Sequence, residues 1–268
     1  MSEHREPATP EAVAADYPET ADIETSNDDY ATRFSGAVGA WLLETQERGT
    51  LGLLRGRLPA GARLLDVGGG HAQLAAPLCR AGYDVTVLGS APSCRKRLEP
   101  LLQEYPETCR FMTGNVIDLP FEDRSFDGVI CFRLLTHCER WPQLAAELCR
   151  VAAGPVVVDY PTGQSLNAIA PALFAAKKKV EKNTRTWRLF RHAEVREAFA
   201  AAGFAESGRF GQFFLPMVLH RALRCRPLSV ALEGGCRALG LTRLWGTPVI
   251  LRLERQPTNL LNQGKIQS

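Results

Sequence analysis

The glycine-rich stretch at residues 63–74, RLLDVGGGHAQL, constrains the fold of this 268-residue chain more than any other. A short apolar run is interrupted by Asp66 and ends in three consecutive glycines, Gly68, Gly69 and Gly70. Such a run indicates a buried parallel strand that turns sharply into a helix. Glycines tolerate positive φ and let a ligand approach the main chain, while the following helix presents free N–H groups. We therefore predict a small-molecule site at this turn.

The spacing of the glycines separates two classes of ligand. The dinucleotide pattern G-x-G-x-x-G would need glycine where this chain has Gln73, and its acidic residue lies about 20 residues downstream. A nicotinamide-dependent oxidoreductase is therefore a disfavoured alternative. The pattern present, Asp66-x-Gly68-x-Gly70-x-Ala72, resembles the D/E-x-G-x-G-x-G loop of class I S-adenosylmethionine-dependent methyltransferases. This resemblance implies that the loop packs against the methionine part of S-adenosylmethionine, whose ammonium group the acidic residue orients; an ordinary strand-to-helix turn is the alternative.

Residues 114–135, GNVIDLPFEDRSFDGVICFRLL, carry a second resemblance. They are similar to the G-D-x-x-x-L-P-F…S-F-D stretch of methyltransferase type 11, the group that includes enzymes of ubiquinone and menaquinone biosynthesis. The resemblance implies that Asn115, which retains an acceptor oxygen, binds the adenine amino group, and that the main chain of Val116 reads the ring. Phe132 and Arg133 follow at the carboxyl end of the predicted fourth strand, where open parallel sheets bind ligands. They complete the predicted cofactor site.

The second predicted strand departs from the family pattern. Family members commonly end this strand with an acidic residue that binds both ribose hydroxyls, but here the position is Gly89, followed by Ser90. A charge-assisted hydrogen bond is roughly twice as strong as a neutral one. We therefore expect Ser90 and the nearby main chain to hold the ribose less tightly. A catalytically inactive relative that binds a partner protein is the alternative function.

Polar residues near the predicted strand ends are candidates for catalysis and substrate binding. Asp159 and Tyr160 are catalytic candidates, because a carboxylate or phenol at this edge can orient or deprotonate an acceptor hydroxyl. The resemblance to methyltransferase type 11 adds His137, since that group commonly has a histidine at this position, near the mouth of the cofactor and substrate site. The substrate candidates are Arg133, Tyr160, and Tyr30 and Arg33 of a leading Tyr-x-x-Arg-Phe-like segment. Structural roles, such as packing and capping, are the alternatives for each. The cofactor is already activated, so a dedicated base is dispensable.

The order of predicted elements favours an α/β fold with a doubly wound, mostly parallel sheet of seven strands. We predict one domain at residues 30–255, with N-terminal helices and a helical, substrate-covering insertion after strand 5, at about 162–190. Residues 1–29 hold nine of the 29 acidic groups and one of the 32 basic ones. This imbalance predicts a disordered acidic leader. The tail at 256–268 is predicted to be loose.

Composition and charge limit the remaining classes of function. No apolar run reaches the ~18 to 20 residues that span a bilayer and no signal-peptide core precedes the domain, so we expect a cytoplasmic protein. The eight cysteines form no C-x-x-C pair and no metal-ligand spacing, which predicts no metal site. Basic residues without interleaved aromatics disfavour nucleic acid as a partner. We expect a small-molecule substrate.

Two stretches bear on the kind of substrate. The basic run at residues 175–192 favours an anionic compound or is a solvated helix surface. The apolar stretch at residues 216–232, PMVLHRALRCRPLSVAL, favours a lipophilic compound. That stretch has two interpretations, burial against the sheet and peripheral contact with a membrane.

Overall fold

The seven predicted strands form one sheet in the computed structural model, which describes residues 17–25, 31–69, 72–166 and 188–257. The strands are β1 (Arg63–Val67), β2 (Asp84–Gly89), β3 (Cys109–Thr113), β4 (Gly128–Cys131), β5 (Val156–Tyr160), β6 (Phe204–Phe213) and β7 (Thr247–Arg255). Their order across the sheet is β3-β2-β1-β4-β5-β7-β6. The first five strands run parallel, and β7 is antiparallel to both β5 and β6. This arrangement confirms the predicted doubly wound α/β fold.

Helices cover both faces of the sheet. They are α1 (Ala21–Thr25), α2 (Gly36–Leu54), α3 (Ala75–Arg80), α4 (Glu99–Glu104), α5 (Trp141–Val151), α6 (His192–Ala201), α7 (Met217–Leu223), α8 (Arg226–Ala238) and α9 (Leu241–Trp245), with 3₁₀ turns at Pro92–Leu98 and Leu135–His137. Among the described residues, none of these helices combines the length and apolar character needed to cross a bilayer.

The central strands are buried on both faces because their side chains are mostly Val, Leu and Ile, as parallel strands between helical layers require. Val67, Val129 and Val158 pack into the larger core cluster, which includes α5 and α6 side chains. Leu64, Ile130 and Val157 face the other cluster, which includes residues of α2 and α3. Two buried carboxylates near the strand ends, Asp66 and Asp159, depart from this apolar pattern.

The strand order places a topological switch between β1 and β4. β1 pairs with β2 on one side and with β4 on the other. In open parallel sheets the ligand crevice lies at the carboxyl ends of the strands, at such a switch point. The glycine loop and Arg133 both follow strands at this edge.

The predicted disorder of the leader is wrong for residues 17–25. Glu19, Ala21 and Asp22 are buried, and the two carboxylates accept hydrogen bonds from backbone N–H groups of the domain. These contacts offset the ordering cost that an acidic, polar segment could not offset alone. The remainder of the predicted leader lies outside the described residues, as do residues 258–268 of the predicted tail.

The region at 216–232 is not buried against the sheet, so the first of the two interpretations of that stretch is wrong. It forms α7 and most of α8, which leave many large apolar side chains exposed. Thr162 and Phe190, which lie at the two ends of the predicted insertion, form a parallel bridge. Residues 167–187, including most of the basic run, lie outside the described residues.

Candidate active site

The glycine loop wraps around the carboxylate of Asp66. Gly68 has φ of +77°, and its N–H donates to the Leu88 carbonyl oxygen over 2.8 Å. A Cβ atom on Gly69 would lie 2.1 Å from Asp66 Oδ2, so glycine is required there to leave room for the carboxylate. Gly70 lies outside the described residues.

Asp66 is 2% exposed, at the end of β1. Burial raises the pKa of its carboxyl to about 7, and the positive charge of Arg133 opposes that rise. A buried carboxyl with a raised pKa favours a cationic ligand, because a cation in addition to Arg133 stabilises its ionised form.

Arg133 is held by three other parts of the chain. Its backbone has φ of +61°, and its N–H donates to Asp159 Oδ1 over 2.5 Å. The guanidinium Nη2 donates to Gln46 Oε1 of α2 over 2.5 Å, and Cζ lies 4.5 Å from the ring centroid of Phe34. The side chain is therefore fixed between the sheet edge and the N-terminal helix.

Asp159 and Tyr160 lie on opposite faces of β5, as neighbouring strand residues must. Burial raises the pKa of Asp159 to about 6, while the Arg133 N–H and the Arg133 charge oppose the rise. Tyr160 instead packs in the larger core cluster with Phe190. Its side chain is fully buried there.

The predicted catalytic and substrate roles of Tyr160 are therefore wrong. Its hydroxyl contacts His192 Nδ1, and His192 Nε2 contacts Glu206 Oε2 at 3.0 Å. Burial raises the pKa of Tyr160 and lowers the pKa of His192. These contacts tie α6 to β5 and β6. They hold the Tyr160 hydroxyl on the face of β5 opposite the Asp159 carboxylate.

A cavity of about 30 Å³ lies between the glycine loop and Arg133. Its lining includes Gln46, Asp66, Gly69, Gln73, Phe132 and Arg133. Gln73 Nε2 is buried and has no hydrogen-bond partner within the described parts of the chain. The cavity thus combines a buried carboxylate with an unused amide donor and a guanidinium.

The far side of the crevice, at the end of β2, is built differently. A Cβ atom on Gly89 would lie 2.7 Å from Cys94 Cβ and 3.1 Å from the Phe111 ring, so no side chain fits at this strand end. The Ser90 N–H donates to Asp22 Oδ2 over 2.6 Å, and the Ser90 hydroxyl donates to Asp22 Oδ1. The carboxylate at this strand end therefore comes from α1.

The predicted adenine residues form a short turn after β3. Asn115 Oδ1 accepts a hydrogen bond from the Ile117 N–H over 3.1 Å, and Val116 is fully buried. A carbonyl oxygen has two lone pairs, so Asn115 Oδ1 can accept a second hydrogen bond.

Comparison with known proteins agrees with the fold and the glycine loop. The family described as a methyltransferase domain matches residues 65–154. The ubiquinone biosynthesis O-methyltransferase of Xanthomonas axonopodis pv. citri (strain 306) is 40% identical over 82 residues, covering 30% of this chain and 34% of that protein. The biotin biosynthesis bifunctional protein BioHC of Cellvibrio japonicus (strain Ueda107) is 34% identical over 89 residues, covering 33% of this chain and 17% of that protein. The matches thus span about a third or less of these relatives.

The likeness among solved structures extends over most of the chain. The magnesium protoporphyrin IX methyltransferase of Synechocystis PCC 6803, with bound S-adenosylhomocysteine, aligns with a TM-score of 0.59 at 16% identity, covering 87% of this chain and 98% of that one. Residues 65–154 are therefore similar to a methyltransferase domain, and the chain as a whole has the fold of the methyltransferase structure with which it aligns. The Synechocystis structure holds S-adenosylhomocysteine, the demethylated form of the cofactor that the glycine loop predicts for this chain.

The two halves of the crevice fit the predicted cofactor unequally. Asp66 can accept from the ammonium group of the methionine part, while Gln73 and Arg133 can donate to its carboxylate. The buried amide nitrogen of Gln73, which has no hydrogen-bond partner among the described residues, is a group that such a ligand would satisfy. On the nucleoside side, Asp22 already occupies the Ser90 donors.

Other residues predicted for the site stand apart from the cavity. His137 is half-buried in the 3₁₀ turn after β4, and its N–H donates to the Leu134 carbonyl. Arg33 is exposed, and neither residue lines the cavity. Tyr30 lies outside the described residues. Their roles stay predictions.

Several residues of the cavity and the crevice were not predicted from the sequence. Gln46 lies within a long helix and carried no sequence signal, while Gln73 was noted only as a departure from the dinucleotide pattern. Phe34, rather than Arg33, is the member of its segment that contacts Arg133. Asp22 was assigned to a leader without structure.

Proposed function

We propose that this protein transfers the methyl group of S-adenosylmethionine to an oxygen, nitrogen or carbon nucleophile of a small molecule. The observation that carries the proposal is the cavity where Asp66, Gln73 and Arg133 meet, since these groups complement the ammonium and carboxylate of an amino acid. The cofactor, when bound, supplies an activated methyl group. The chain's own work is to align the reactants and exclude water.

The roles of the polar residues follow from their contacts. Asp66 binds the ammonium group, and Gln73 and Arg133 bind the carboxylate. Asp159 acts as a positioning residue, because its carboxylate holds the Arg133 main chain in a positive-φ conformation. His137 remains the candidate for contact with the acceptor.

The residues around Phe34 support a lipophilic acceptor. Phe34 contacts Arg133 at the cavity and also packs in a small apolar cluster with Trp41, Phe213 and Met217. Met217 begins α7. Apolar surface therefore continues from the cavity wall to the exposed helices α7–α9.

We further propose that α7–α9 rest on an anionic membrane surface. Nine large apolar side chains are exposed there: Val218, Leu219, Leu223, Leu228, Val230, Leu232, Leu239, Leu244 and Trp245. Residues 217–245 contain five arginines, and their one acidic residue, Glu233, is buried. An apolar face with basic and almost no acidic groups complements anionic headgroups. The names of relatives that act in ubiquinone biosynthesis or on a magnesium protoporphyrin are consistent with a lipophilic acceptor.

Isothermal titration with S-adenosylmethionine tests the cofactor assignment, with Asp66→Asn as the matched loss-of-binding variant. Comparison of metabolites between a deletion strain and its parent, supplied with labelled methyl donor, then identifies the acceptor. Saturable heat and a labelled product missing from the deletion strain support the proposal. If the protein binds S-adenosylmethionine but makes no labelled product, the alternative of an inactive binding protein is favoured. If NADH rather than S-adenosylmethionine stabilises the protein, the oxidoreductase is favoured.

Sedimentation with vesicles tests the membrane proposal. Binding to phosphatidylcholine vesicles containing phosphatidylglycerol, but not to phosphatidylcholine alone, is expected. Leu239 and Leu244 are 77% and 64% exposed, so the double variant Leu239→Ser/Leu244→Ser should reduce binding about tenfold or more. Met112→Ser is the control, because Met112 is exposed on β3 at the sheet edge away from α7–α9. Equal binding of both variants would refute the proposal.

A further inference from the structure

The N-terminal segment crosses the carboxyl edge of the sheet over the crevice. Glu19 Oε1 accepts a hydrogen bond from the Arg140 N–H, just before α5, over 2.8 Å. Asp22 is bound at the end of β2 by Ser90. Between these anchors, Ala21 is 4% exposed and packs in the larger core cluster. The segment therefore spans from the β4 side of the switch point to the β2 side.

Asp22 uses the polar groups that the end of β2 offers. Its two carboxylate oxygens accept from the N–H and the hydroxyl of Ser90, and Cys94 Sγ lies 3.6 Å from Oδ2. Asp22 is 1% exposed. A nucleoside at this strand end would have to use the same Ser90 donors.

The space around these groups is also filled. The Asp22 Cβ lies 3.7 Å from the position of a Cβ on Gly68, so the segment reaches the glycine loop. Ser90 and Val116, both predicted to contact the nucleoside, are buried. The cavity of about 30 Å³ beside Asp66 is far below the roughly 300 Å³ of a typical small-ligand pocket.

We propose that residues 19–22 form a plug in the nucleoside half of the site, where Asp22 competes with the cofactor ribose for Ser90. The inference rests on the proposed function, because it assumes that S-adenosylmethionine enters this crevice. Cofactor binding then requires Asp22 to leave Ser90. The fraction of molecules with the plug displaced sets the apparent affinity.

The plug also accounts for the glycine at position 89. An acidic side chain at the end of β2 would stand next to Ser90, which holds the Asp22 carboxylate, and two adjacent carboxylates in a buried site repel each other. Gly89 removes that repulsion and leaves the space to Cys94 and Phe111. The presence of Asp22 thus explains why an acidic residue is absent from position 89.

Asp22→Asn is the first test, read out as the dissociation constant of S-adenosylmethionine without any acceptor. An amide loses the charge-assisted hydrogen bonds and presents an N–H₂ group toward the Ser90 donors, so the plug weakens and cofactor affinity rises about tenfold. Asp118→Asn, at an exposed carboxylate, is the control and should bind as the wild type does. Unchanged affinity overturns the plug. Weaker affinity also overturns it and makes Asp22 a ribose ligand instead.

A reversible crosslink gives the second test. In Asp22→Cys the new thiol lies beside native Cys94, so oxidation by added oxidised glutathione can join the two in a disulfide that holds the plug in place. The reduced variant should bind S-adenosylmethionine, and the oxidised one should bind at least about tenfold more weakly. Asp22→Cys/Cys94→Ser should be insensitive to oxidation. Equal binding by crosslinked and reduced protein overturns the proposal.

These measurements separate the plug from the proposed reaction. Tighter binding by Asp22→Asn with no methyl transfer refutes the reaction and supports the plug. Methyl transfer with no gain in affinity supports the reaction and refutes the plug.

Discussion

The two halves of the crevice differ in whether their polar groups are already hydrogen-bonded within the chain. On the methionine side, the glycine loop leaves the Asp66 carboxylate and the Gln73 amide facing a small cavity. On the nucleoside side, the donors of Ser90 are satisfied by Asp22 from the same chain. The first half presents its polar groups to a cavity, whereas the polar groups of the second are satisfied without a ligand.

This difference indicates where cofactor affinity is determined. Interactions on the methionine side engage groups that already line the cavity, so cofactor binding there need not first displace Asp22. Interactions on the plugged side contribute only the difference between the ribose and Asp22. Substitutions on the methionine side should therefore have the larger effects.

Arg133→Ala is expected to have the largest effect, a loss of cofactor affinity of about 100-fold. It removes the cation that holds down the pKa of both Asp66 and Asp159, so both carboxyls become protonated more readily. Titration calorimetry measures the loss.

Arg133→Gly and Arg133→Lys locate the cause of that loss. Glycine relieves the positive φ at this position, so an equal loss in both the Gly and Ala variants assigns the effect to the guanidinium. Lysine keeps the charge without the planar fork and should lose less, about tenfold. Full affinity in Arg133→Ala would show that the methionine side does not carry binding.

Gly69→Ala should lower cofactor affinity by more than about tenfold, because the new methyl would overlap Asp66 Oδ2 and displace the carboxylate. Gly52→Ala is the matched control, since a Cβ at Gly52 of α2 meets nothing within 4 Å. That control should bind normally and be more stable by about 0.5–1 kcal/mol. Equal affinities in the two variants would contradict the role assigned to the loop.

The same contrast explains what the sequence could predict. The sheet and the methionine half follow from local patterns: apolar runs, a glycine turn, and polar residues at strand ends. Asp66 and Arg133 could be found in this way because both lie at the carboxyl end of a strand. Asp66 is the penultimate residue of β1, and Arg133 is the second residue after β4. Tyr160 satisfied the same rule, but alternation along β5 turned its side chain into the core.

The nucleoside half depends on contacts between residues far apart in sequence. Asp22 and Ser90 are 68 positions apart, and nothing in the acidic composition of residues 1–29 distinguishes Asp22 from its neighbours. Composition predicted the average behaviour of the leader, whereas two buried hydrogen-bonded carboxylates determine the structure of residues 17–25. Gln46, 87 positions from Arg133, escaped prediction for the same reason.

The pH dependence of binding should sharpen the comparison further. The pKa of Asp66 is raised to about 7, so its ionised fraction falls as the pH drops, and affinity for the cofactor should fall about tenfold from pH 7.5 to pH 6.

Stability of the ligand-free protein should change in the opposite sense. The raised pKa means that the folded state binds the extra proton, so the stabilisation is complete below pH 4 and is lost as the pH rises through about 7.

Asp66→Asn separates these effects from other titrating groups. Calorimetry should show weak, nearly pH-independent binding, and denaturant unfolding should show that the variant gains stability relative to the wild type as the pH rises from 4 to 8. A wild-type affinity that stays constant from pH 6 to 7.5 would exclude Asp66 as the ammonium-binding group.

Restoring an acidic residue at the end of β2 should have the smallest effect on the cofactor and a measurable cost in stability. Gly89→Asp forces a Cβ within 2.7 Å of Cys94 Cβ, and overpacking of this kind costs about 1–3 kcal/mol. Gly89→Ala carries the same steric cost without the charge. The difference between the two variants in free energy of unfolding therefore isolates repulsion from Asp22, about 1 kcal/mol, and should disappear in the Asp22→Asn background. If the difference persists there, the carboxylate of Asp22 is not what opposes an acidic residue at position 89, and the steric contacts of Gly89 alone explain its presence.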